Sequence, residues 1–181
     1  MREARILASL IDERERVTEK QMDRWAETFD SWEICDQCCQ NLFAHTASAP
    51  AKTVEWTQRP EEFVKRAGFV LVAVRAVHDK RTDDRAFVDL LPTLMAAADD
   101  ERLYVRKGAS WALRQIGKRS DQLRAHVLDT VTPCIDSNRR GRRVRKLDPA
   151  LRLRLFARQT ASSAKPILGR LHWRTGRGSL R

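Results

Sequence analysis

Nothing in this chain is written to cross a membrane: no apolar run approaches the roughly eighteen residues that a span requires. The opening "MREARILASLIDERERV" becomes charged too soon for a signal peptide. Cysteine is scarce, with four residues in 181. Without an export signal these are expected as free thiols in a reducing, cytoplasmic setting. Strand signatures are missing from the body, since no run combines strict alternation with β-branched density. Ligands for zinc are too few. The single C-x-x-C pair, Cys35 and Cys38, has no second pair, and His45, His78, His126 and His172 are scattered. A structural zinc takes about four convergent ligands. No metal and no cofactor is therefore expected.

Acidic residues are almost absent from one end only. From Asn138 onward fourteen Lys and Arg face a single acid, Asp148. The formal net charge of +11 therefore hides a body, residues 1–137, whose net charge is −2. Any anion-binding argument about the body has to rest on local patches. The basic segment, taken as 136–181, contains "LRLRLF", which suits a strand or a helix, and "TGRGSLR", which suits neither. It reads equally as a nucleic-acid arm or as a terminus that does not pack like the body.

What the body has in quantity is helical periodicity. Candidate helices cover roughly 2–14, 17–28, 30–45, 60–78, 83–98, 102–118 and 120–134, and 48–62 is read as one long loop. Pro60 with Glu61 and Glu62 suits a helix start. Asp83 and Asp99 or Asp100 suit caps, and Gly117 a helix end. An all-α fold follows, with paired helices over residues 1–135 in the manner of an α-solenoid.

Helical angles then sort the chemistry. Along 102–118, Val105, Ala109, Ala112 and Ile116 share one face, and Lys107, Trp111, Arg114 and Lys118 share another, with Tyr104 nearby. A tryptophan among cations suits an anionic, stackable ligand, although burial against a neighbouring helix is its commoner fate. In "DSWEICDQCCQNLF", Ile34, Cys35, Cys38 and Leu42 form an apolar side, with Trp32, Asp36, Cys39 and Phe43 on a second side. Cysteines at core positions behave as small hydrophobes. The 60–78 segment is apolar almost all round, and Arg66 projects among Phe63, Val70 and Val77. A guanidinium there needs an anion, either a carboxylate such as Asp36 or a phosphate.

Three segments, "FDSWEICDQCC", "EEFVKRAGFVLVA" and "YVRKGASWALRQIGKR", occur in that order. Together they resemble the AlkD-type DNA alkylation repair proteins, alkylpurine DNA glycosylases built from HEAT-like helical repeats. The resemblance covers about residues 3–130. It implies a right-handed α-α superhelix whose concave, basic side cradles duplex DNA containing alkylated bases. It also implies that Trp32 and Trp111 flank the lesion's deoxyribose, that Asp36 is the catalytic carboxylate, and that Arg66 contacts the DNA backbone. Lys107, Arg114 and Lys118 are then expected on phosphates. The expected activity is excision of cationic N-alkylpurines such as 3-methyladenine or 7-methylguanine by a monomer. Relative to that family the chain starts in what reads as a later repeat, without the usual N-terminal helices. The alternative is a non-catalytic HEAT-like repeat protein that binds DNA or a protein partner.

Overall fold

The apolar segment that follows Pro60 becomes the centre of the molecule. A computed structural model describes residues 1–139, and their regular structure is entirely helical. The helices are α1 (Arg2–Ile11), α2 (Glu19–Glu27), α3 (Trp32–Asn41), α4 (Ala49–Gln58), α5 (Glu62–His78), α6 (Asp84–Val88), α7 (Leu91–Ala96), α8 (Leu103–Arg119) and α9 (Asp121–Arg139). Single 3-10 turns occur at Phe43–His45 and Ala97–Asp99. Residues 140–181, which hold nearly all of the basic segment read as 136–181, lie outside the described residues; α9 itself runs through 136–139.

Helix α5 is apolar around its circumference because it serves two cores. Val70, Leu71 and Val74 face a cluster built with α2, α3 and Trp56 of α4. Phe69, Val72, Ala73 and Ala76 face a second cluster built with α7, α8 and α9. Each fully buried Val, Leu or Phe among them contributes about 1.5–3 kcal/mol of transfer free energy. The helix therefore joins the two hydrophobic units. Gly68 brings α4 close: a Cβ there would stand 2.6 Å from the Thr57 nitrogen and 3.0 Å from the Trp56 carbonyl carbon.

Several sequence expectations are corrected. The supposed loop 48–62 contains α4, whose buried stripe is Ala49, Lys52, Thr53, Trp56 and Thr57. That is helical spacing written largely in polar letters, which hides it. Lys52 lies inside because its Nζ meets Asp23 at 2.7 Å and Glu55 at 2.8 Å. Burial works against the Lys52 ammonium, but the bonds to Asp23 and Glu55 outweigh it and raise its pKa. Asp23 also accepts from the Trp56 indole at 2.9 Å. The expected helix 83–98 is broken between α6 and α7, where Pro92 sits in the first turn of α7. Asp83 does cap α6, accepting from the Arg85 amide. Gly117 does not end α8, which runs to Arg119, and the residue preceding α8 is Arg102 rather than Asp99 or Asp100.

Candidate active site

Helices α3, α5 and α8 lie in succession, α5 packing against both of the others, and the site forms across them. Ser31 starts α3 by accepting from the Ile34 amide, an N-cap that sets the helix one residue before Trp32. Trp32 is then in the first turn and 46% exposed. Asp36, one turn later, is only 8% exposed. Along the second side of α3, Asp36 and Cys39 are buried, as is Phe43 in the turn that follows, and only Trp32 stays open. The cover comes from α5, where Arg66 meets Asp36 and the Ala67 carbonyl meets Cys39, and from Trp25 and Trp56, which pack on Phe43.

Asp36 meets Arg66 in a two-point contact. The Arg66 Nε donates to Oδ1 at 2.8 Å and Nη2 donates to Oδ2 at 2.7 Å. A third donor, Nη1, reaches the Tyr104 carbonyl at 2.8 Å. Of the two anions that Arg66 could take, the fold supplies the carboxylate. Burial raises the Asp36 carboxyl above its ordinary range, and the Arg66 hydrogen bonds and charge pull against that rise. Both oxygens accept, so a proton on either would face an N–H donor; the arrangement suits an ion pair. Burial likewise works against the Arg66 cation, and Asp36 outweighs it.

Arg66 also opens onto a groove of about 520 Å³ along α8. Lys107, Trp111 and Arg114 line it, together with Arg106 and the apolar Leu94, Ala98 and Leu103. Trp111 is half-buried and packs against both hydrophobic clusters while it lines this groove. It combines the two fates that its helix face left open. Trp32, Asp36 and Lys118 lie outside this lining; Asp36 borders the groove only through its contact with Arg66. Arg106 is a groove residue that the helical angles did not single out. Its guanidinium is anchored by the carbonyls of Asp100 and Glu101, both at 2.7 Å, in the segment just before α8.

The thiols beside Asp36 are packing groups. Cys35, Cys38 and Cys39 are free and no more than 1% exposed. Burial pushes Cys38 up to about 11 and Cys39 well above the ordinary thiol range, so neither is a thiolate near neutral pH. Cys35 and Cys39 contact the carbonyls of Phe63 and Ala67 on α5 at 3.5 and 3.9 Å. Among the described residues no three His, Cys, Asp or Glu side chains converge as a metal site.

The site is thus a buried aspartate fixed by an arginine that opens onto a cationic groove with a tryptophan wall. The family model described as DNA alkylation repair enzyme matches residues 1–146. The chain belongs to the DNA alkylation repair enzyme family. No curated protein and no solved structure matches it. Membership in a DNA alkylation repair family makes DNA repair its process and DNA its partner. The groove carries Arg106, Lys107 and Arg114 along it, together with Arg66, whose charge is balanced by Asp36.

Proposed function

We propose that this DNA alkylation repair protein is a glycosylase that hydrolyses the N-glycosidic bond of cationic N-alkylated purines in duplex DNA. The observation that carries the reading is Asp36, a carboxylate held by Arg66 beside a cationic groove walled by Trp111. An N3- or N7-alkylated purine is positively charged, so when the C1′–N bond breaks its electron pair neutralises the base. No general acid is needed. Positive charge develops on the sugar, and an anion aimed at that oxocarbenium-like centre stabilises it. Asp36 is assigned that role. Water then attacks C1′ and releases a proton, for which Asp36 or solvent is the acceptor, leaving an abasic site.

Trp111, and Trp32 one turn before Asp36, are assigned to the deoxyribose, where aromatic faces favour a cationic centre and exclude water. Lys107 and Arg114 in the groove and Lys118 beyond it are assigned to phosphates. In this reading the helix pairs continue as a HEAT-like solenoid and the protein acts as a monomer. One observation favours a second reading: both Asp36 oxygens are already occupied by Arg66. That suits a structural ion pair in a non-catalytic repeat protein that binds DNA or a protein partner. Release of free 7-methylguanine and 3-methyladenine from methylated duplex DNA separates the two. The glycosylase releases base and leaves alkali-labile sites; folded protein that binds the duplex and releases nothing establishes the second reading.

A further inference from the structure

The first turn of α8 touches the Asp36–Arg66 pair at two points. The Tyr104 carbonyl accepts from Arg66 Nη1 at 2.8 Å, which leaves the guanidinium bound on two sides. The ring of the same residue stands 6.0 Å from the Arg66 guanidinium carbon and 5.9 Å from the Lys107 ammonium. Two like charges thus share one aromatic ring, whose quadrupole attracts both. Phe63 of α5 supports the ring from its own helix, with centroids 5.6 Å apart. Tyr104 is the one tyrosine of the chain, and it is half-buried between α5 and solvent.

A carboxylate that must face a reacting sugar has to be held in orientation, and its holder has to be held in turn. Arg66 fixes both oxygens of Asp36, so whatever fixes Arg66 sets the aim of the carboxylate. We infer that Tyr104 is a positioning residue for base excision, its ring and carbonyl keeping the Arg66 fork square to Asp36. The inference rests on the glycosylase reading for its consequence in rate, but its geometry is independent of that reading. Tyr104 contacts no reacting atom and acts only through Arg66. The charged and titratable groups around Asp36 are Arg66 from α5 and Cys35 and Cys39 on its own helix. Lys107 stands on the Tyr104 ring. With the ring gone, the Arg66 fork loosens, its opposition to burial weakens, and the Asp36 carboxyl moves higher.

The test compares Tyr104→Phe and Tyr104→Leu in the full chain. Three quantities are read: single-turnover base release from methylated duplex across pH, affinity for unmethylated duplex, and the Asp36 carboxyl titration by carbon NMR. Tyr104→Phe keeps the ring and behaves as wild type. Tyr104→Leu loses about tenfold in single-turnover rate, holds duplex affinity within about twofold, and moves the acid midpoint of rate and resonance upward together. A Tyr104→Leu protein with unchanged rate and midpoint overturns the inference. So does a loss that only follows the unfolded fraction, or a Tyr104→Phe protein as impaired as Tyr104→Leu. If wild type releases no base, the glycosylase reading fails by itself and the Asp36 resonance still decides. An upward shift in Tyr104→Leu supports the positioning role, and no shift removes it.

Discussion

Changing Asp36 to asparagine strikes two properties at once, and the geometry says how to part them. The side chains of Asp36 and Arg66 are 11% and 7% exposed. Removing one charge leaves the guanidinium without its anion and turns an amide N–H toward an N–H donor. Breaking a pair this buried costs about 3–5 kcal/mol. Asp36→Asn should therefore be strongly destabilised as well as slow. Asp36→Asn with Arg66→Gln replaces the ion pair by two amides that can hydrogen-bond to each other, and should return to within about 2 kcal/mol of wild type. Excision does not return with it, because the charge that opposes the oxocarbenium ion is still missing. A loss of that kind is on the order of a hundredfold, or about 3 kcal/mol. Urea unfolding followed by tryptophan fluorescence gives the stabilities, and single-turnover base release per folded molecule gives the rates. If the double variant regains rate along with stability, Asp36 is a structural residue only. If Asp36→Asn is as stable as wild type, the buried pair is not what holds α3 to α5.

Three further outcomes are expected. Gly68→Ala drives a methyl into the backbone of α4, at 2.6 Å from the Thr57 nitrogen, and should cost about 1–3 kcal/mol. Gly108→Ala, whose Cβ would first meet Phe69 at 3.4 Å, should stay within about 1 kcal/mol of wild type; equal urea midpoints for the two would refute the close approach. Hydrogen bonds from Thr82 hold Asp79, and hydrogen bonds from Arg102 hold Asp100, both at about 2. Carboxyls depressed in the fold stabilise it above the unfolded carboxyl pKa. Their contribution, about 1 kcal/mol each after solvent screening, is lost as pH falls from about 4 toward 2. Asp79→Asn should flatten the stability profile in that window, and an unchanged slope would count against it. Duplex affinity should fall steeply with salt, and Lys107→Ala should reduce the log–log slope by about one. A slope unchanged by Lys107→Ala and Arg114→Ala, yet lost on removing residues 140–181, would move DNA binding away from the groove.

The amino-acid sequence by itself determined the helical character of the described residues, the central burial of the 60–78 segment, and the core positions of Cys35 and Cys38. Each is a property of periodicity or composition within one segment. It also placed Trp111 among Lys107 and Arg114, because residues three and four apart share a helix face. It could not say which helix would lie against that face. Only the tertiary structure decided that the anion opposite Arg66 is Asp36, thirty residues earlier, and that Tyr104 closes the other side of the guanidinium. The same limit hid α4. Its stripe holds Lys52 and Thr53 where a core residue is expected, and burying Lys52 becomes favourable only when Asp23 of α2 is brought within 2.7 Å. Spacing along a helix fixes the direction of a side chain from its own axis. The charge or carbonyl waiting there belongs to another segment, and chain folding alone brings the two together.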